Sequence, residues 1–436
     1  MPQDASASTA PGQPEAGGVR RFARALELDL RLLGMIGALV AIWVVFDLIT
    51  GGRFLTPRNL FNLSVQTASV AVMATGMVFV IVTRHIDLSV GSLLGFLGMI
   101  MGTLQLHYLP GLVGSGHWSI WIVTILAGIA AGSAIGAAQG WLIGYLAIPA
   151  FIVTLGGLLV WRGAAWWVTG GQTVAPLDPS FQLFGGGAAG TLGAPASWLV
   201  AAAATLAAVA LQYRARRRKA AHGFTVKPFR AEVVMSGVIA IAIFGFAAIM
   251  VAYPVPENAA RRILAARGAD PGDGPVAMAH GIAIPVVIVL AIALLMTVVA
   301  RMSRFGRYVF ATGGNPEAAE LSGVNTRLLT VKIFALMGAL TAIAAVIASA
   351  RLGAVGNDLG TLDELRVIAA AVIGGTALSG GIGTIYGAVL GALIMQSLQS
   401  GMAMVGVDAP LQSIVVGLVL VLAVLVDILY RRRTGE

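Results

Sequence analysis

The chain contains no cysteine, so disulfides, thiol catalysis and cysteine-based metal sites are excluded at once. Charge is nearly as scarce. Asp, Glu, Lys and Arg make up 11% of the 436 residues, against about 25% in an ordinary soluble domain. Nothing reads G-x-x-x-x-G-K-[ST], the loop that cradles nucleotide phosphates, so no ATP site of its own is expected. Gly381 and Gly383 form a G-x-G, but the next glycine is Gly387, one residue too late for a dinucleotide loop. The five histidines, His85, His107, His117, His222 and His280, show no metal-ligand spacing. No nucleophile–base pattern emerges, and no cofactor or metal is expected on this chain.

What the chain has instead is apolar residues: 58% of positions, with a mean hydropathy of +0.89. Several runs reach the roughly 18 to 20 residues that cross a bilayer. About twelve candidate spans follow in order, with ten as the lower count. They are centred on 33–50, 63–82, 88–106, 120–146, 151–168, 198–213, 233–253, 282–300, 328–350, 365–378, 385–405 and 414–429. The expectation is an all-α polytopic membrane bundle over residues 31–436. In 364–405, Gly374-Gly375 and Gly380-Gly381-Ile382-Gly383 mark either a tight hairpin or a re-entrant break.

The net charge of +9 lies in short clusters between apolar runs, which fits the positive-inside rule and not nucleic-acid binding. Arg20, Arg21, Arg24 and Arg31 precede the first span. A basic loop, residues 214–230, follows the sixth. Arg301, Arg304, Arg307, Arg327 and Lys332 bracket the loop after the eighth, and Arg431–Arg433 close the chain. With an even number of spans all four clusters share one side, placing both termini in the cytoplasm. Residues 1–30, rich in Ala, Ser, Pro, Gln and Gly at their start, read as a disordered or amphipathic cytoplasmic tail without signal-peptide features.

Gly128, Gly132, Gly136, Gly140 and Gly144 recur every fourth residue along the fourth span, and Gly383, Gly387 and Gly391 repeat the device. Such stripes let helix backbones approach closely. The other use of a smooth stripe is as the wall of a conduit.

Val80–Gly91, VIVTRHIDLSVG, places Asp87 between two apolar runs. A carboxylate there either caps the next helix or lines a polar path, paired with a group such as Arg162. Arg162 lies in the fifth span beside Trp161, Trp166 and Trp167. Indole faces stack on sugars, and they also populate the interfacial belt. Residues 303–326 carry a basic aromatic approach, a Gly313-Gly314-Asn315-Pro316 turn, the helix-prone Glu317–Leu321 and a stop at Gly323. Asn315 suits a cap and Pro316 the first helical position. The segment reads either as a capped solvated loop or as a surface helix that docks on a partner. Arg351, Asp358, Asp363 and Glu364 flank an expected outer loop. They serve either partner docking or, for the acids, the N-terminus of the next helix.

HIDLSVGS (His85–Ser92), PAFIVTLGGLLVWRG (Pro149–Gly163), FGRYVFATGGNPEAAELSGVN (Phe305–Asn325) and VIGGTALSGGIGTIYGAVLGALI (Val372–Ile394) together resemble the sugar ABC-transporter permeases of the ribose/xylose/galactoside class. The resemblance runs from about residue 54 to the C-terminus. The extra pair of spans over 198–253 is similar to the xylose branch. It implies a non-enzymatic permease of the bacterial inner membrane that works as a homodimer. ATP and Mg would sit on a separate cytoplasmic ATPase, and a periplasmic binding protein would deliver a monosaccharide, a pentose such as xylose foremost. Gly313, Gly314, Asn315, Pro316, Glu317, Leu321 and Gly323 would form the coupling helix. Asp87, Ser89, Gly91, Thr154 and Arg162 would lie by the translocation path, and Arg351, Asp363 and Glu364 at the docking face. Thr83-Arg84-His85 departs from the smaller or acidic residues usual in that class, and the loop 254–279 is longer. The alternative reading is an ion-coupled secondary transporter that uses Asp87 as its proton or sodium site.

Overall fold

The computed structural model describes residues 30–434 apart from 225, 227, 267, 271 and 273. The N-terminal tail expected over 1–30 therefore lies outside the described residues, except for Leu30. The described chain is almost wholly helical, and its β-bridges are isolated pairs.

Among the described residues nine helices are long and apolar enough to cross a membrane. They are α1 (Leu30–Ile49), α2 (Pro57–Val82), α3 (Val90–Thr103, continued through a π turn to Val113), α4 (Ser119–Gly144) and α5 (Ala150–Thr169), then α6 (Gly193–Ala221), α7 (Phe229–Val251), α8 (Ile284–Met302) and, further on, Thr326–Leu352. Between α8 and that last span lie two short helices, α9 (Arg304–Gly314) and α10 (Pro316–Leu321), so the span is α11. The chain then forms α12 (Asp363–Ile373), α13 (Ile385–Met404) and α14 (Ala409–Thr434).

Two expectations need correction. Arg214–Lys219 is not loop: it forms the last turns of α6, which runs on to Ala221, and Arg230 lies in α7. Lys227 lies outside the described residues. The apolar run at 365–378 is not a complete span either. Helix α12 has 11 residues, about 16 Å of helix, and of the two readings of the glycine clusters the structure takes the hairpin: residues 374–384 turn the chain so that α13 packs back on α12. Non-helical chain, mostly successive turns, leads from Gly353 to α12. It descends along α3, where Gly102 meets Val355, Gly98 meets Val355 and Leu359, and Gly91 meets Gly360.

Helices α2 and α11 are buried along most of their length and form the centre of the bundle. Lipid supplies no hydrophobic drive between helices, so packing depends on small residues that admit a neighbouring backbone. The glycine stripe of α4 does this against α11. A Cβ at Gly132, Gly136 or Gly144 would strike the carbonyl oxygens of Gly338, Phe334 and Arg327. Gly387 and Gly391 do the same for α13 against the Gly374 and Ala370 carbonyls. The stripes are packing surfaces. Helices α6 and α7 pair with each other at the periphery, joined by Arg216–Glu232 at 2.8 Å and by Ser236 Oγ donating to Gln212 Oε1 at 2.6 Å.

Candidate functional site

Helix α2 ends in a Schellman turn: Arg84 N–H donates to Ile81 O at 2.8 Å and His85 N–H to Val80 O at 3.0 Å. Glycine normally fills the left-handed position of that turn, but Arg84 holds it, with φ of 65°. The conformation costs a residue with a Cβ on the order of 1–2 kcal/mol. The chain then crosses seven residues, Thr83–Ser89, before α3 begins at Val90.

Asp87 lies in that linker with 2% of its surface exposed. Its Oδ1 accepts from Ser89 N at 2.9 Å and from Ser89 Oγ at 2.6 Å. Ser89 Oγ in turn accepts from Gln139 Nε2 of α4 at 3.0 Å. The residue directly preceding α3 is Ser89, so Asp87 braces the approach to the helix and does not itself cap it. Thr154 Oγ1, on α5, donates to Ile86 O at 3.2 Å. The linker is thus held from two neighbouring helices.

Arg162 does not reach Asp87. Its Nη1 donates to Asn357 O at 2.8 Å and Leu359 O at 3.0 Å, tying α5 to the turns before α12. The carbonyls of that stretch have no helical partners, and a guanidinium with several donors satisfies two at once. Trp161 stacks on Phe96 with ring centroids 5.4 Å apart. Trp166 and Trp167 are exposed at the far end of α5, as an interfacial belt requires.

Asp363 and Glu364 are buried, 9% and 6% exposed, so neither belongs to an outer docking surface. The expectation failed because the chain after Leu352 turns back into the bundle instead of running over its surface. Asp363 Oδ1 pairs with Arg366 Nη1 at 2.9 Å, and Glu364 Oε2 faces Gly91. Trp161 Nε1, Asn357 Oδ1 and Glu364 Oε2 are buried without a hydrogen-bond partner among the described residues. Buried polar groups without partners are costly, and these three are contributed by α5, the turns before α12 and α12 itself. Arg351 remains at the end of α11. It is exposed and lines a cavity of about 460 Å³ with Phe61, Asn62, Gln66 and Gln182.

The second site is on α9 and α10. Asn315 Oδ1 accepts from Ala318 N at 3.0 Å and Pro316 takes the first helical position, as expected. Gly323, with φ of 85°, follows the end of α10. Glu317 is exposed and Leu321 is 90% exposed. Gly313 and Gly314, however, are the last turn of α9 and not a loop turn. Gly313 is buried against Val82 O and Gly381 N, where no side chain fits. Helix α9 went unread in the sequence, although its buried positions Gly306, Val309 and Gly313 carry the three-and-four spacing of a helix face. Ser303 Oγ caps it by accepting from Gly306 N at 3.0 Å. Among the described residues no group of three or more His, Asp or Glu side chains is arranged to hold a metal ion.

A polytopic bundle of apolar, membrane-length helices with a broken segment defines an integral membrane protein. Residues 59–424 match the family described as branched-chain amino acid transport system permease component, and the chain belongs to that family. It is 36% identical to the xylose transport system permease protein of Escherichia coli (strain K12) over 97% of each chain. It is 31% identical to the ribose import permease protein of the same organism, over 94% of this chain and 97% of that one. A probable ABC transporter permease protein of E. coli is 38% identical over 36% of this chain and 47% of its own length. No solved structure matches the chain.

Proposed function

We infer that the protein is the permease subunit of an ATP-driven importer in the bacterial inner membrane, passing a monosaccharide by alternating access. The family name speaks of branched-chain amino acids. Full-length similarity to xylose and ribose permeases favours a sugar, and the 36% relative favours xylose. The buried polar groups agree with that choice. Trp161, Asn357, Glu364 and Arg162 offer neutral and charged hydrogen-bonding groups beside aromatic surface, the mixture that recognises hydroxyls on an apolar ring. Asp87, Ser89, Gly91 and Thr154 shape the linker beside them.

The observation that carries the ATP-driven reading is α10: a short capped helix between two spans that projects Leu321 almost fully into solvent. We assign Gly314, Asn315, Pro316, Glu317 and Leu321 to contact with a separate ATPase that binds ATP and Mg, with Gly313 and Gly323 shaping the helix. With α10 on the cytoplasmic face, both termini are cytoplasmic too. A periplasmic binding protein would meet the opposite face, with Arg351 offering a cation beside its cavity. A second copy of the permease completes the assembly in this reading. No bond is made or broken on this chain.

The test is gentle extraction of a tagged chain from its native membranes. An ATPase subunit recovered in stoichiometric amount supports the reading. Its reproducible absence from folded, transport-active protein overturns it, and moves Asp87 to the centre of an ion-coupled mechanism.

A further inference from the structure

Three segments far apart in sequence meet at the end of α2. They are the α2–α3 linker, the end of α9, and the turn 374–384 between α12 and α13. Gly381 N–H donates to Val82 O at 2.9 Å. Gly313 is pressed between that same carbonyl and Gly381. Arg84 lies over the junction. Its Nε donates to Gly313 O at 3.0 Å and its Nη2 to Gly314 O at 2.9 Å. A Cβ on Gly380 would strike the Arg84 Cγ, so the turn also packs against the arginine stem.

The contact is chemically apt. Gly313 and Gly314 end α9, where carbonyls lack intrahelical donors and the helix dipole favours a cation. The planar guanidinium meets two such oxygens at once, a geometry an ammonium does not reproduce. Gly314 is followed directly by Asn315, the cap of α10. On the other side Arg84 is three residues from Asp87, within the linker that Ser89, Gln139 and Thr154 hold. The left-handed backbone at Arg84 is one that glycine adopts without cost, yet the position carries a side chain that hydrogen-bonds to the end of α9.

We propose that Arg84 is the positioning residue that transmits movement of α10 to the Asp87 linker, by fixing α9, the linker and the turn 374–384 as one rigid block. This rests on the ATPase-coupling reading of α10. The block would move as a unit when the ATPase displaces α10, shifting Asp87 and the start of α12 together. Arg84 touches no substrate and acts only through the segments it joins.

The experiment uses the complete complex reconstituted in vesicles, and compares wild type with Arg84→Gly and Arg84→Lys. Glycine suits the left-handed turn, so Arg84→Gly removes the bridge without straining the fold. Expected for Arg84→Gly is a melting temperature no lower than wild type, an ATPase still bound, and uptake per ATP hydrolysed reduced about tenfold, within the roughly 5- to 150-fold range of coupling between sites. Arg84→Lys should recover part of that ratio. A wild-type ratio in Arg84→Gly overturns the proposal. So does loss of ATPase binding by that variant, which would make Arg84 a support for the docking surface alone. Wild-type protein that binds no ATPase overturns the coupling reading itself, before any variant is made.

If Arg84→Gly does not accumulate, the absence of native cysteine permits spin labels at Arg307→Cys and Ser379→Cys in an otherwise native chain. An unchanged distance between them in nucleotide-free and ATP-trapped complexes supports the rigid block. A distance that changes between those states overturns it.

Discussion

Arg162 Nη1 lies 2.8 Å from the carbonyl oxygen of Asn357, 195 residues further along the chain. That bond, with its companion to Leu359 O at 3.0 Å, holds non-helical backbone inside a membrane bundle. Replacing Arg162 with Met keeps the apolar stem and removes the donors. Each carbonyl left without a donor costs about 1–3 kcal/mol. The expected result is a lower melting temperature in detergent and impaired uptake, checked by thermal unfolding and vesicle assays on the same preparation.

Gly91 sits against Gly360 O and Glu364 Oε2, whereas Gly156 on α5 has nothing within contact distance of a Cβ. Gly91→Ala should therefore destabilise the protein by about 1–3 kcal/mol, the cost of overpacking a filled site. Gly156→Ala should leave the monomeric fold unaffected. Unfolding of the two variants side by side checks the contrast, because both make the same chemical change in helices.

Burial holds the His280 imidazole below its ordinary range, partly offset by its hydrogen bonds to the Tyr253 and Pro254 backbone. The ring stacks on Tyr253 at 4.2 Å and packs on Phe61 at 4.8 Å. A lowered folded-state value means that the unfolded chain takes up the proton more readily. The stability contributed by neutral His280 is therefore present above the unfolded value of about 6.5, and is lost as the pH falls below it. His280→Phe keeps the ring packing, so its melting temperature should fall less than wild type between neutral and mildly acidic pH.

Leu321 is 90% exposed on α10. Leu321→Glu should leave the amount of protein in the membrane unchanged and lower ATPase affinity at least about tenfold, equivalent to about 1.4 kcal/mol. Glu317→Arg should uncouple uptake on the same helix. Co-purification and uptake measured together distinguish lost docking from lost transmission.

Asp87 hydrogen-bonds only to Ser89 among the described residues, within its own linker. Uptake should therefore survive a protonophore and stop when ATP is depleted. The reverse pattern would make Asp87 the ion site of a secondary transporter.

Much was legible in the chain because lipid imposes a simple rule: backbone that crosses hydrocarbon must satisfy its own hydrogen bonds. Long apolar runs therefore announced helices, and Gly374-Gly375 and Gly380–Gly383 announced the turn that joins α12 to α13. The cap at Asn315 was readable because it depends on neighbours three residues apart. Other features were not. The burial of Asp363 and Glu364 depends on the direction taken by the chain after Leu352, which local composition does not encode. Helix α9 was hidden by the two glycines that end it, since Gly-Gly-Asn-Pro ordinarily marks a turn.

The amino-acid sequence by itself determined that this is a cysteine-free membrane bundle of many helices, because hydropathy and glycine spacing act over single helices. Its long ordered motifs also determined the class of permease. Only the tertiary structure decided what each polar group touches. It took Arg162 away from Asp87 and gave it to the carbonyls of Asn357 and Leu359. It also set Arg84 across the end of α9, 229 residues away. The physical reason is the same in both cases. A cation in a bundle is placed by whichever carbonyls the fold leaves without donors, and those are known only once helices have broken and packed.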